Sequence, residues 1–191
     1  MKVLVTGATG FIGRRLIRRL LDQGYSVRAT VRETSNLDGL PLNDIELSYV
    51  DLRSDENWAT AVADVGAVIH LASLLKTPWR KDFQTINVEG TRRVLRMCAL
   101  RPSPPKVVVV SSLAAAGPVG PQGVRTEEQA PRPISIYGRA KLAAERAAEE
   151  YAATVPLTIV RPPMVFGPGD TATAPIFESV RRGLHFVPRW K

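Results

Sequence analysis

Tyr137 and Lys141 stand four residues apart in the segment YGRAK. On a helix this spacing places both side chains on one face, where the Lys141 ammonium would lower the pKa of the Tyr137 phenol and reach ribose hydroxyls. Such a phenol can act as an acid or a base near neutral pH. Ser112 ends the apolar strand before this helix, so its hydroxyl could bond the same substrate oxygen. The alternatives are a Ser112 hydroxyl that caps its own backbone and a Lys141 that is an exposed helical lysine.

A glycine-rich turn joins the first predicted strand to the first predicted helix. It contains TGATGFIG, with Gly7, Gly10 and Gly13 at GxxGxxG spacing. Such a turn lets the backbone approach a pyrophosphate and points helix N–H groups at the anion, while Gly13 would let the helix pack on the strand. The motif predicts a dinucleotide site, and a glycine-rich turn without a ligand is the alternative. The predicted contacts from this turn are Gly7, Thr9, Gly10, Phe11, Ile12 and Gly13.

The residues after the second and third strands bear on which dinucleotide binds. Val31 ends the second strand, Arg32 follows it, and the first acid, Glu33, comes one place later. An acid at this strand end hydrogen-bonds the ribose of NAD, whereas an arginine accommodates the extra phosphate of NADP. Arg32 therefore favours NADP, with NAD as an alternative and an ordinary exposed arginine as another. Asp51 and Leu52, just past the third strand, would cap the edge and cover the face of the adenine.

Composition excludes several classes of protein. With 45% hydrophobic and 23% charged residues in 191, the chain has the usage of a soluble globular protein and not of a disordered one. The single cysteine, Cys98, rules out an internal disulfide, and its apolar neighbours predict a buried helical position in a reducing compartment, by default the cytoplasm. The sequence has no signal-peptide pattern and no apolar run near the roughly 20 residues of a membrane span.

We predict neither a metal site nor a nucleic-acid site. His70 lies in an apolar strand without a second ligand at suitable spacing, which favours a packed, hydrogen-bonded histidine. The chain has 26 basic and 18 acidic side chains, a net charge of +8. However, Arg14, Arg15, Arg18 and Arg19 share the polar face of an amphipathic helix, which predicts a solvated surface, and no aromatic residues are interleaved with them. A small polyanionic ligand would suit the charge equally well.

Short β-branched runs alternate with helical stretches along the chain. The predicted strands cover residues 2–6, 26–31, 45–50, 66–72, 106–112 and 156–162, and the predicted helices cover about 11–22, 55–63, 82–99 and 135–153. Continuous apolar strands between helices indicate a parallel sheet covered on both faces. We therefore predict an α/β, doubly wound fold of the Rossmann type, with the ligand beyond the carboxyl ends of the strands.

The C-terminal segment differs from the rest. We predict a dinucleotide-binding domain over residues 1–172 and the start of a substrate-binding part over 173–191. The segment IFESVRRGLHFVPRWK predicts one helix and the beginning of another element that ends without a cap, so we expect a truncated chain.

Together these motifs resemble those of the extended short-chain dehydrogenase/reductases, also called the NAD-dependent epimerase/dehydratase family. The matching segments follow the family order along nearly the whole chain: TGATGFIG, Asp51-Leu52, VIHLAS, NVEGT, VVVVSS, YGRAK and VRPPMVFGPGD. The resemblance implies catalytic roles for Ser112, Tyr137 and Lys141, a supporting role for Asn87, and a small C-terminal substrate domain that is mostly missing here. It further implies cofactor contacts by Leu71, Ala72, Ser73 and Lys141, and by Pro162 and Val165 near the nicotinamide.

Some members of the family fit better than others. The segment GYSVRATVRE is similar to that of dihydroflavonol and cinnamoyl-type reductases, whose arginine here serves NADP. Sugar 4,6-dehydratases carry Thr-Asp-Glu where this chain has Ser112, Leu113 and Ala114, so the residues for elimination are lacking. Many epimerases have Val-Tyr-Gly where residues 115–117 are Ala-Ala-Gly, which makes an epimerase the less favoured alternative.

The leading hypothesis is therefore an NADP-dependent oxidoreductase that acts on a hydroxyl/ketone pair. A nucleotide-sugar epimerase with bound NAD and a non-catalytic dinucleotide sensor are the alternatives. The expected partners are a small carbonyl, alcohol or nucleotide-sugar substrate. The resemblance also implies a homodimer through the helices near residues 82–99 and 135–153.

Overall fold

A computed structural model describes residues 1–120 and 123–184, and in this part of the chain six strands form one parallel sheet. The strands are β1 (Lys2–Thr6), β2 (Ser26–Val31), β3 (Ile45–Tyr49), β4 (Ala67–His70), β5 (Lys106–Val110) and β6 (Leu157–Val160). Their order is β3-β2-β1-β4-β5-β6, so the direction of winding reverses between β1 and β4. The doubly wound fold is confirmed, and in folds of this type ligands bind where the strand order reverses.

Helical segments follow the strands in the predicted alternation. They are α1 (Phe11–Asp22), α2 (Trp58–Val62), α3 (Arg80–Asp82), a π-helical segment (Phe83–Glu89), α4 (Gly90–Ala99), α5 (Leu113–Ala116), α6 (Ile136–Glu149) and α7 (Ala174–Arg181). The helix predicted over 55–63 is shorter in the structure and begins only at Trp58, because the preceding residue Asn57 has a left-handed backbone with φ of 63°. The predicted helix over 82–99 begins at Arg80 and includes the π-helical segment, which apolar spacing does not reveal. Ser135 caps α6 through its hydroxyl, which accepts from the Gly138 N–H at 2.9 Å.

Two apolar clusters cover the two faces of the sheet. On one face, Val3 and Val5 of β1 pack with Ile17 of α1. On the other face, Leu4 of β1 packs in a cluster with residues of α2, α4 and α6, among them the fully buried Cys98. Cys98 lies within α4 with none of its surface exposed, so the predicted buried helical cysteine is confirmed, and this burial raises the pKa of its thiol to about 12. The alternation of β1 residues between two cores places helices on both faces, as predicted.

The arginine-rich face of α1 does more than face solvent. Arg14 donates to the carbonyl oxygen of Asn36 at 3.4 Å, and Arg18 donates to that of Gly39 at 3.2 Å. Both acceptors belong to the loop that follows β2. These bonds fasten the loop to α1, a contact that the interpretation as a purely solvated face did not include.

The C-terminal helix α7 has no buried residue, and its apolar side chains Ile176, Phe177 and Val180 are each about half exposed. The division into domains 1–172 and 173–191 stays a prediction, and residues 185–191 lie outside the described part. Of the helices that the structure describes, none has the length and apolar character required to cross a membrane.

Candidate functional site

The turn between β1 and α1 brings backbone groups close together. Gly7 has a φ of 69°, a conformation that favours glycine, and the Gly10 N–H donates to the Gly7 carbonyl oxygen at 3.0 Å. A methyl group added at Gly7 would lie 2.8 Å from the backbone nitrogen of Ala72. The first N–H groups of a helix lack intrahelical partners, so those of Phe11, Ile12 and Gly13 can serve an anion.

Replacing Gly13 by alanine is expected to weaken dinucleotide binding by about 5-fold to 150-fold, the equivalent of the roughly 1–3 kcal/mol that overpacking costs. The new methyl group would lie 2.8 Å from the Ala8 carbonyl oxygen and closer still to that of Gly7, so the turn must shift. Titration of NADPH fluorescence measures the change. Gly120→Ala is the matched control, because a methyl group there meets no atom of the described residues within 4 Å. Equal affinities for both variants would contradict the assignment.

A cleft of about 280 Å³ opens beside this turn. Predicted contacts that line it are Gly7, Thr9, Gly10, Arg32, Asp51, Leu52, Leu71, Ala72 and Ser73. The lining also contains residues that were not predicted to contact a cofactor: Thr30, Val31, Ser35, Val50, Arg53, Trp58, Leu74 and Ile86. Phe11, Ile12, Gly13, Lys141, Pro162 and Val165 are not among the lining residues. The three loops after β1, β2 and β4 thus converge on one cavity, together with the segment after β3.

Arg32 stands at the cleft with an uncommitted side chain. Its guanidinium makes no hydrogen bond or ion pair within residues 1–120 and 123–184, while its backbone N–H donates to the Ser35 hydroxyl at 2.9 Å. Arg53 lines the same cleft but lies 3.6 Å from the Asp51 carboxylate. The cleft therefore offers one guanidinium that is available to an anion.

Asp51 has a structural task as well as a place in the cleft. One carboxylate oxygen accepts from the Arg53 N–H at 2.8 Å, an Asx turn, and its carbonyl oxygen accepts from the Trp58 indole at 3.0 Å. Leu52 packs against Gly90 at the start of α4, where an added methyl group would lie 3.0 Å from the Leu52 Cβ. One Asp51 carboxylate oxygen thus serves the turn and the other lies 3.6 Å from the Arg53 guanidinium, while the contact of Asp51 with an adenine stays a prediction.

Close packing of α5 on α6 brings Ser112 to Tyr137. A methyl group at Gly138 would lie 2.9 Å from the Ala114 carbonyl carbon, so only glycine allows this approach. The Ser112 hydroxyl accepts from the Ala114 N–H at 3.1 Å, which is the capping alternative considered above. Burial raises the pKa of the Tyr137 phenol, and the hydroxyls of Ser112 and Ser73 oppose that shift. The pKa of Tyr137 is therefore raised, whereas the sequence predicted that Lys141 would lower it. The reason is that burial outweighs the hydroxyl contacts.

Lys141 is buried, with 5% of its surface exposed, so the alternative of an exposed helical lysine is wrong. Its Nζ donates to the Val110 carbonyl oxygen, at the end of β5, at 2.7 Å. Burial lowers the pKa of Lys141 to about 8, and Glu145 opposes the shift. The ammonium is therefore still mostly charged at pH 7, and a backbone carbonyl fixes its position.

Two polar arrangements near the site were not predicted from residue spacing. Glu145 is buried and accepts from Arg161 through both carboxylate oxygens, at 2.9 and 2.6 Å. Asn87, in the π-helical segment, accepts from the Leu74 N–H at 2.7 Å and donates to the Leu74 carbonyl oxygen at 3.1 Å. The segment NVEGT was the available signal for Asn87, through the family resemblance, whereas the Ala/Glu-rich helix α6 offers none for Glu145.

The two residues expected near the nicotinamide lie after β6. The Pro162 carbonyl oxygen accepts from the Leu113 N–H at 3.0 Å, which ties this loop to the start of α5. Val165 is exposed. Their contacts with a cofactor stay predictions.

A family model for the NAD dependent epimerase/dehydratase family matches residues 3–185. The chain belongs to this family. Among its relatives are a ceramide reductase of Caulobacter vibrioides, 32% identical over 94% of this chain, and a dihydroflavonol 4-reductase of Zea mays, 32% identical over 91% of it. The alignments cover 51% and 55% of those two proteins. The chain thus spans about half the length of the curated relatives it matches.

Solved structures of the family superpose closely on the fold. The crystal structure of UDP-glucuronic acid 4-epimerase from Bacillus cereus in complex with NAD matches with a TM-score of 0.80 and 27% identity. The match covers 96% of this chain and 64% of that one. The family membership agrees with the resemblance inferred from the motifs.

Proposed function

We propose that this protein is an NADP-dependent oxidoreductase that interconverts a hydroxyl group and a carbonyl group. The observation that carries the proposal is the half-buried Tyr137 phenol. It has the Ser112 and Ser73 hydroxyls beside it and the buried ammonium of Lys141 one helical turn away. Because Ser73 also lines the cleft, the phenol and the cleft beside the glycine-rich turn meet at one side chain.

The residues present fit a dinucleotide, since the Gly7 and Gly13 backbones leave no room for side chains and the Arg32 guanidinium at the cleft has no ion-pair partner among the described residues. A bound NADPH would supply the hydride for the carbonyl carbon. Tyr137 holds the proton for the carbonyl oxygen, and Ser112 donates a hydrogen bond to the same oxygen. The Lys141 ammonium favours the phenolate that remains after proton transfer.

The preference for NADP over NAD rests on Arg32. A 2′-phosphate carries negative charge that a guanidinium binds through two hydrogen bonds. NAD lacks this phosphate, and the first acid after β2 that could bind its ribose, Glu33, is an exposed neighbour of Arg32. We therefore assign the cleft to NADP first and to NAD second.

Replacing Arg32 by alanine is expected to weaken NADPH binding by about 10-fold to 150-fold, the equivalent of about 1.5–3 kcal/mol for a charge-assisted hydrogen bond. NADH binding should change little, because no phosphate contact is lost. Titration of both cofactors against both proteins measures the difference. Arg19→Ala, which removes an exposed arginine of α1, controls for the loss of net charge. Equal losses for NADPH and NADH would refute the proposed preference.

A nucleotide-sugar epimerase is the second candidate, favoured by the likeness to the epimerase structure that holds NAD. The same Ser112, Tyr137 and Lys141 would serve it. The two functions differ in their cofactor, since an epimerase regenerates its own NAD and keeps it bound. NAD retained through purification, together with no consumption of NADPH on a panel of ketones and aldehydes, would favour the epimerase. The homodimer expected from the resemblance stays a prediction.

A further inference from the structure

A chain of buried hydrogen bonds centred on His70 lies beneath the cleft. β1 and β4 are adjacent, and Thr6 stands opposite His70 in their register. The Nδ1 atom of His70 lies 2.7 Å from the Thr6 hydroxyl, and its Nε2 atom lies 3.0 Å from the Thr91 hydroxyl. All three residues are buried. The histidine therefore bridges the end of β1 and the start of α4.

Both ends of this chain reach the segment Leu71–Leu74, which lines the cleft. At one end, the Thr6 hydroxyl accepts from the Ala72 N–H at 3.1 Å. At the other end, the Thr91 hydroxyl donates to the Asn87 carbonyl oxygen at 2.6 Å, and the Asn87 side chain holds Leu74 by its N–H and its carbonyl oxygen. The segment is thus held at its second and fourth residues by two branches that meet at His70.

Only one arrangement of protons satisfies every bond. The Asn87 carbonyl oxygen can only accept, so the single Thr91 hydroxyl proton is used there, and Thr91 must accept from the Nε2–H of His70. The Nδ1 atom is then an acceptor, which receives the Thr6 hydroxyl proton. Thr6 accepts in turn from the Ala72 N–H. The bonds therefore run in one direction from Ala72 to Asn87, and they require a neutral imidazole.

The surroundings keep the imidazole neutral. Burial lowers the pKa of His70 to about 3, and the nearby ammonium of Lys141 shifts it in the same direction. One tautomer of one charge state thus persists over the physiological pH range. His70 is then a fixed hydrogen-bonding bridge and not a proton-transfer group.

We propose that His70 is a positioning residue that holds the segment Leu71–Leu74 against the glycine-rich turn, in the arrangement that binds a dinucleotide. The inference rests on the dinucleotide site of the proposed function. Gly7 packs so closely on Ala72 that an added methyl group would lie 2.8 Å from the Ala72 nitrogen, so movement of Ala72 changes the turn directly. A site whose walls are ordered before the ligand arrives loses less entropy on binding.

The test compares His70→Leu, which removes both bonds of the imidazole, with His70→Gln, whose side-chain amide can still donate to Thr91. Amide hydrogen exchange of the ligand-free protein is measured at Ala72 and Leu74 and at β5 as a reference. We expect the amides of the segment to exchange faster in both variants, with the larger increase in His70→Leu. The exchange rates of β5 should not change. Val65→Ala, a cavity variant at a buried site away from the segment, controls for general loss of stability. Faster exchange throughout the sheet in the His70 variants, as for a purely structural residue, would overturn the proposal.

Dinucleotide binding supplies the second measurement. We expect His70→Leu to weaken NADPH binding at least about tenfold, and His70→Gln to weaken it less. If the unaltered protein binds NADPH and both variants bind it equally well, the positioning role is wrong and the dinucleotide site stands. If the unaltered protein binds no dinucleotide, the proposed function is wrong, and with it the role given to the segment. If His70→Leu does not fold, the comparison of His70→Gln with the unaltered protein decides.

Discussion

Replacing Tyr137 by phenylalanine is expected to lower turnover by about 10²-fold to 10⁴-fold, the range of general acid catalysis by a positioned side chain. The Tyr137 phenol has the hydroxyls of Ser112 and Ser73 beside it, and Ser73 lines the cleft. Phenylalanine keeps the ring and its packing but cannot supply the proton. The dissociation constant of NADPH should therefore stay nearly the same, because the ring contacts remain.

The control for this experiment is Tyr25→Phe, which removes an exposed phenol just before β2. Steady-state rates with NADPH and a reducible carbonyl, combined with cofactor titration, separate turnover from binding. A Tyr137→Phe protein that keeps a near-normal rate would remove the phenol from the mechanism. Equal losses in rate and in cofactor affinity would indicate a structural role for the side chain.

Replacing Arg161 by alanine is expected to lower the free energy of unfolding by about 3–5 kcal/mol, the usual cost of leaving a buried charge unpaired. The Glu145 side chain is 2% exposed, and both of its oxygens accept from Arg161. This loss is a large share of the roughly 5–15 kcal/mol that stabilises a typical domain. Urea denaturation followed by circular dichroism measures it.

The double variant Glu145→Leu/Arg161→Met distinguishes the pair from its packing. It removes both charges together, so it should lose much less stability than Arg161→Ala despite the larger change in sequence. A double variant as unstable as Arg161→Ala would mean that lost packing, and not the unpaired carboxylate, causes the decrease in the free energy of unfolding.

Much of the fold could be predicted from the sequence, because it depends on local patterns. Two-residue alternation in β1 and the helical spacing of α1 specify which faces are buried, and the glycine spacing specifies the turn between them. The position of Tyr137 relative to Ser112 followed from the order of elements. All of these signals lie within short stretches of chain.

The rest depends on which elements become neighbours in space. The contacts of Lys141 with Val110 and of Glu145 with Arg161 could not be predicted from the sequence, because the two residues of each pair lie on different elements. The π-helical segment is equally hidden, because its apolar positions also fit an α-helix. The role of His70 was predicted only in part, as a packed and hydrogen-bonded residue, without its bonds to Thr6 and Thr91.

The spacing of charged and polar groups along α6 has a mechanical consequence. Tyr137, Lys141 and Glu145 follow one another every four residues, so the phenol proposed as proton donor, the buried ammonium and the carboxylate that pairs with Arg161 lie along one side of the helix. Each residue of a helix turns by about 100°, so a slip by one position would rotate all three away from their partners at once. Arg161, which directly follows β6, donates to Glu145 and so holds the C-terminal half of α6 against that strand. The register of this one helix therefore sets the alignment of all three side chains of the proposed site.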